Sequence, residues 1–250
     1  MSREYLKTAC PPLRDFLVYN ESVRGRSELT IEQYNMDLTL FFKYLKRERG
    51  LVGDDVPFSD INVSDVDIEL LRSVTVTDLY AFIVFCKDER LNDTSTRARK
   101  ISSLRSFFKY LNEKVHLIES NPANGLNSPK LRKALPVHLT LDQSLELLRA
   151  VDGPNKERDY CILTLFLNCG MRLSELCSIN YTDIKPDSSL KILGKGNKER
   201  MVFLNDACKA AIDNYMKVRP ADQVKREDRY ALFLSSTRHS RISPKTVQFI

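Results

Sequence analysis

The chain has 250 residues, 42% of them hydrophobic and 29% charged, with a formal net charge of +6. This composition excludes a disordered or collagen-like chain and fits one large domain or two ordinary ones. The small excess of cations is compatible with nucleic acid, a membrane surface or an acidic protein as partner, and by itself with nothing more than a basic soluble enzyme.

The six cysteines (Cys10, Cys86, Cys161, Cys169, Cys177 and Cys208) form no C-x-x-C pair, and several lie in apolar runs. Buried thiols in a reducing compartment are expected. His116, His138 and His239 stand at no ligand-like spacing to them, so no metal is expected. The start, MSREYLKTACPPL, lacks the apolar stretch of a secretory leader, and no run is long and apolar enough to span a bilayer. A cytoplasmic location without membrane contact follows as an expectation.

The first firm helical signal is TIEQYNMDLTLFFKYLKRE, where Thr30 and Gln33 have capping-box spacing. Ile31, Tyr34, Leu38, Phe41, Phe42 and Leu45 recur at threes and fours along one face. Positions 50 to 70 are acidic and irregular, broken by Gly50, Gly53 and Pro57. A further helix is predicted from about Thr77, carrying Leu79, Phe82, Ile83 and Cys86.

TSTRARKISSLRSFFKYLNEK has an apolar stripe of Ile101, Leu104, Phe108 and Leu111. Its opposite face holds Arg99, Ser102, Ser106 and Lys109, flanked by Arg105, while Arg97 leaves from the first turn. From Thr94 to Lys133 there are nine Lys or Arg against Glu113 and Glu119 alone. Such a face could track a phosphate backbone. A solvated surface explains it equally well.

The stretch NPANGLNSPKLRKALP has three prolines and no periodicity, which marks a linker. The predicted organisation is therefore a helical domain over 1–126, a basic Pro-containing linker over 127–136 and a second domain over 137–250. Thr140 and Gln143 again have capping-box spacing. The helix ERDYCILTLFLNC is apolar nearly all round and should be central to the second core, with Gly170 as its left-handed cap and LSELCSI as a short helix after it. In SLKILGKGNKERMVFL the period changes to that of two strands around a Gly-Lys-Gly-Asn turn. Asn205 caps another helix, ALFLSS is a brief apolar run, and Ser243-Pro244 opens a last helix. The sequence ends about two turns into that helix, which leads to the expectation of a fragment.

Arg172 follows Gly170 among leucines, where a buried guanidinium would need an anion. Glu175, three residues on, is placed to orient it. Lys195 is predicted at a hairpin tip with a glycine on each side. A flat, permanently charged fork suits phosphate oxygens, and an ammonium can protonate a departing oxygen, so the pair suits phosphoryl transfer. Either feature alone is more often structural: an Arg–Glu ion pair, and a turn with a solvated lysine. No G-x-x-x-x-G-K-[ST] loop and no carboxylate cluster of a two-metal nuclease occurs.

Nearly the whole chain resembles the tyrosine recombinases, the phage integrase family, and is most similar to their Xer type. SELTIEQYNMDLTLFFKYL and TSTRARKISSLRSFFKYLNEK…NPA look like the helical core-binding (SAM-like) domain of that family. LPVHLTLDQSLELL, CGMRLSELCSINYTDIK and ILGKGNKERMVFL look like the opening half of its catalytic domain. The resemblance implies a mainly α fold, with an α+β catalytic domain carrying a small antiparallel hairpin or sheet. It also implies a clamp on double-stranded DNA, attack by a tyrosine to give a 3′-phosphotyrosyl link, and strand exchange through a Holliday junction in a homo- or hetero-tetramer. No metal or other cofactor is implied.

Arg172 falls on the catalytic arginine of the family, Lys195 on its general-acid lysine and Glu175 on its supporting acid. Arg97, Arg99, Lys100, Arg105 and Lys109 are the candidate DNA contacts of the first domain, and Lys198 and Arg200 those of the hairpin. The family's H-x-L-R block, its later histidine or tryptophan and its nucleophilic tyrosine have no counterpart here. RHSR at 238 to 241 precedes the last helix, which makes His239 a loop residue. Tyr160, Tyr181, Tyr215 and Tyr230 match no nucleophile position. The chain alone is expected to bind DNA without cleaving it. The alternative is a non-catalytic, truncated DNA-binding protein that occupies recombination sites. A type IB topoisomerase-like relaxase is a weaker third possibility.

Overall fold

The computed structural model describes residues 8–130, 135, 137–194 and 198–250. It divides between residues 134 and 135 into two units, each with its own core. Of the linker expected at 127–136, residues 131–134 and 136 lie outside the described residues.

The first unit is helical: α1 (Pro11–Ser22), α2 (Glu28–Glu48), α3 (Ile68–Arg72), α4 (Val76–Asp88) and α5 (Thr94–Glu113), with 3₁₀ turns at Phe58–Asp60 and Pro122–Gly125. Periodicity does not announce helix α1. It opens on Pro11 at its first turn, where a missing N–H costs nothing, and buries Leu13, Phe16 and Leu17. Helix α2 starts a turn earlier than expected, because Ser27 rather than Thr30 occupies the N-cap. The Thr30–Gln33 box therefore does not form. Thr30 shares a 2.9 Å bond with the Ser27 hydroxyl, and the Gln33 amide reaches forward to Asp37 at 3.4 Å.

Reciprocal capping does occur at α4, between Thr75 and Asp78, and Asp93 caps α5 by accepting from the Thr96 N–H. The core is rich in aromatic rings from every long helix. Phe16 meets Phe107 edge-on at 5.4 Å, and Phe41 meets Phe82 at 5.2 Å.

The second unit begins with α6 (Leu141–Arg149), whose Thr140–Gln143 box forms as its spacing predicts. Helix α7 (Lys156–Cys169) packs on α9 (Asp206–Val218), burying Cys161, Ile162 and Leu165 against Cys208, Ala211 and Ile212. Its other face is not all core, since Tyr160 and Leu167 are exposed. Gly170, at φ 54°, ends α7 in the left-handed conformation that glycine adopts without a steric penalty.

Helix α8 (Leu173–Ser178) follows at once. The strands β1 (Ser189–Leu193) and β2 (Glu199–Phe203) pair antiparallel, with Leu190 opposite Val202 and Ile192 opposite Arg200. Leu190 and Ile192 are buried, so Val202 and Arg200 share the inward face of the hairpin. A short α10 (Pro244–Val247), capped by the Ser243 hydroxyl, packs on α8.

The fold is thus mainly α, with one two-stranded antiparallel sheet among the described residues. All six cysteines are free thiols, and burial raises the pKa of each of them above the usual range. No described helix is long and apolar enough to cross a membrane.

Candidate functional site

Arg172 occupies the N-cap of α8 in extended backbone, φ −75° and ψ 154°. It is not the buried cation that its leucine-rich surroundings predict. Met171 takes the inward position, and 68% of the Arg172 side chain is exposed. The buried member of the pair is Glu175, whose side chain is 2% exposed.

Glu175 stands at the third helical position and reaches back to accept the Arg172 backbone N–H on Oε2 at 2.8 Å. This is half of a capping box, the half that fixes the start of the helix. Its Oε1 accepts Nη1 of Arg172 at 2.7 Å. Arg200 then arrives from β2 and forks onto both oxygens, Nη1 to Oε1 and Nη2 to Oε2, each at 2.9 Å. The bonds from Arg200, followed by those from Arg172, hold the Glu175 carboxyl at about 2, well below the usual carboxylate range. One buried anion is thereby matched by two cations, and the positive charge left over sits on the surface at Arg172.

Sequence pattern alone puts Arg200 on DNA and does not connect it to Glu175. A signal exists, because β2 alternates and Arg200 falls in step with the inward Val202. An inward arginine needs an anion. Which anion it meets depends on how the hairpin folds back, and no local pattern carries that.

Lys195 lies outside the described residues. The hairpin beside it is closed by the Gly194 N–H donating to the Lys198 carbonyl at 2.7 Å. Lys198 is exposed.

The candidate DNA contacts of α5 fall into different settings. Lys109 is exposed, with only a 3.6 Å pairing to Glu113, and Arg105 is exposed while bonding the Leu126 carbonyl and the Ser128 hydroxyl. Arg97 stays over the first turn, with Nε to the Asp93 carbonyl at 3.4 Å and Nη2 to the Thr94 hydroxyl at 3.2 Å. Arg99 and Lys100 converge on Asp37 of α2, which is buried and also accepts the Ser103 hydroxyl at 2.8 Å. Lys100 is itself buried, its amine 3.1 Å from Asp37, so it faces the core and is turned away from any backbone phosphate.

His239 does sit in a tight turn, at φ 49°. Arg241 has a structural role, donating to the Cys177 and Ile179 carbonyls and to Asn180 Oδ1 at 2.7 to 3.2 Å. None of Tyr160, Tyr181, Tyr215 and Tyr230 bonds to Arg172 or Glu175. Tyr215 is buried and accepts the Leu234 N–H, and Tyr181 meets Tyr230 in a tilted ring contact and lies under Arg219. Among the described residues no three His, Cys, Asp or Glu side chains cluster as a metal-ligand set.

A helical unit followed by a unit with a cation-bearing short helix and a hairpin is the tyrosine recombinase fold. A lambda integrase tetramer bound to a Holliday junction superposes with a TM-score of 0.65 at 20% identity, over 94% of this chain and 62% of that one. The XerH site-specific recombinase, in a post-cleavage complex with a palindromic difH substrate, gives a TM-score of 0.65 at 18% identity over 96% and 67%.

Residues 61–114 match the phage integrase N-terminal SAM-like domain, and residues 138–250 match the phage integrase family. The tyrosine recombinase XerC of Caldanaerobacter subterraneus subsp. tengcongensis is 54% identical over 96% of this chain and 67% of its own length. That of Thermodesulfovibrio yellowstonii is 32% identical over 95% and 73%. The chain belongs to the phage integrase family of tyrosine recombinases.

Proposed function

We propose that the protein acts in site-specific DNA recombination as an Xer-like tyrosine recombinase, cleaving and rejoining strands through a 3′-phosphotyrosyl link. The observation that carries this reading is the exposed guanidinium of Arg172, anchored from beneath by the buried Glu175 carboxylate. A planar fork on a preset mount is suited to the equatorial oxygens of a phosphodiester as charge develops on them. Lys195 is the general acid that protonates the departing 5′ oxygen. Lys198, Arg97, Arg99, Arg105 and Lys109 hold the DNA backbone.

Residues 1–126 form the core-binding domain, 127–136 the linker and 137–250 the part of the catalytic domain that carries Arg172 and Lys195. The assembly on DNA is a tetramer, as for the lambda integrase on its Holliday junction. The protein works in the cytoplasm, on DNA, and the chemistry needs neither metal nor nucleotide because the bond energy is kept in the covalent link.

No described tyrosine hydrogen-bonds to Arg172 or Glu175, and the nucleophile is assigned to none of them. The second reading is that these 250 residues bind recombination sites without cutting them. A nicked duplex carrying the site separates the two. Full-length protein is expected to form a covalent adduct, and Arg172→Ala to abolish it while binding persists. Adduct formation at the normal rate by that variant removes Arg172 from the active site. The 250-residue chain is expected to bind and to compete with intact enzyme without forming an adduct.

A further inference from the structure

The Glu175 carboxylate is shared unequally between its two arginines. Arg200 gives both Nη atoms, one to each oxygen, at 2.9 Å. Arg172 gives a single side-chain bond, Nη1 to Oε1 at 2.7 Å, and its backbone N–H takes Oε2. Each carboxylate oxygen thus carries two bonds. Nε and Nη2 of Arg172 have no partner among the described residues, and the side chain stands 68% exposed.

An arginine beside a carboxylate prefers to close two parallel N–H···O bonds onto it. Arg172 could do so only where Arg200 already sits. We propose that Arg200 is a positioning residue for Arg172: it fills the bidentate face of Glu175 and so keeps the Arg172 fork turned out toward the phosphate oxygens of DNA. The inference rests on the function proposed above and deepens it.

The hairpin is built for this approach. Arg200 stands opposite Ile192 on the inward face. A Cβ at Gly194 would lie 3.2 Å from Glu175 Oε1 and 3.3 Å from the Lys198 carbonyl, so the chain passes the carboxylate at a distance that suits a residue without a side chain. The Glu175–Arg200 clasp therefore ties the loop end of the hairpin, where Arg200 pairs with Ile192, to the start of α8. With both Nη groups of Arg200 committed to Glu175, its role is exercised through Arg172 and not by contact with DNA.

A double-mutant cycle on duplex DNA of mixed sequence tests this with the full chain. Dissociation constants are measured at one salt concentration for wild type, Arg172→Ala, Arg200→Ala and the double variant, with circular dichroism to confirm folding. In the wild-type background Arg172→Ala is expected to weaken binding by roughly tenfold, the worth of one charge-assisted contact. In the Arg200→Ala background it is expected to change binding by less than about twofold, because the fork has already turned away.

Arg200→Lys keeps the charge and loses the fork. It guards against a folding defect in the alanine variant, and its cycle is expected to match that of Arg200→Ala. A purely structural Arg200 lowers thermal stability but leaves the cycle additive, with the same factor for Arg172→Ala in both backgrounds. That result overturns the inference and leaves the DNA-binding reading standing. No effect of Arg172→Ala in the wild-type background overturns the assignment of Arg172 itself, and this inference with it.

Discussion

The two units use the same device for opposite ends. In each, one buried carboxylate gathers two cations and at least one neutral donor. Asp37 takes Arg99, Lys100 and the Ser103 hydroxyl, and Glu175 takes Arg172, Arg200 and a backbone N–H. Around Asp37 the lysine is drawn in until only 8% of its side chain is exposed, and the result is a tie between α2 and α5. Around Glu175 the Arg172 side chain remains outside, and the result is a cation presented to the surface. A buried anion can therefore consume its partner's charge or display it. Lys100 approaches its carboxylate from within α5, whereas Arg172 approaches from the N-cap of α8.

The comparison can be broken by removing each anion in turn. Asp37→Ala strands a buried ammonium and is expected to cost about 3–5 kcal/mol in urea unfolding. Glu175→Gln leaves two cations that reach solvent and keeps one acceptor oxygen, so its cost is expected near ~2 kcal/mol. Equal costs at the two sites would show that exposure of the partner is irrelevant.

The Glu175 contribution also has a pH signature. Its carboxyl lies at about 2 in the folded chain, below its ordinary 4.5. A depressed value stabilises the folded state above the unfolded pKa, and that stabilisation fades as the pH falls through the folded one. Wild type and Glu175→Gln should thus differ most above about pH 5 and converge as the pH approaches about 2. A difference that stays constant over that range would deny the ionised carboxylate any role.

Smaller effects sharpen the same contrast. Gly194→Ala pushes a methyl group against Glu175 Oε1 and is expected to cost about 1 kcal/mol, read as a lowered melting temperature. Lys109→Ala is expected to reduce the slope of log affinity against log salt for duplex DNA by about 0.9 without changing stability. Lys100→Ala should do the reverse, lowering stability and leaving the slope alone. A slope lost with Lys100 would mean that the amine leaves Asp37 for the phosphate.

Much of this is legible in the residues themselves. The Thr140–Gln143 box, the left-handed end at Gly170, the Asn205 cap and the Ser243-Pro244 start all depend on bonds spanning three or four residues, and all appear, as does the hairpin of β1 and β2. The pattern misleads where two local signals compete or none exists. Ser27 displaces Thr30 as the cap of α2, and α1 opens on a proline with too short a stripe to stand out.

The sequence by itself determined the helices other than α1 and α3, the strand-turn-strand pattern of the hairpin, the pairing of Arg172 with Glu175, and the excess of cations along α5, because each is carried by residues close together in the chain. Only the tertiary structure decided that Arg172 faces out while Glu175 is buried, that Lys100 points to Asp37, and that Arg200 forks onto Glu175 from 25 residues away. Those outcomes depend on desolvation, and which groups lose their water is a property of the packed chain that no run of neighbouring residues contains.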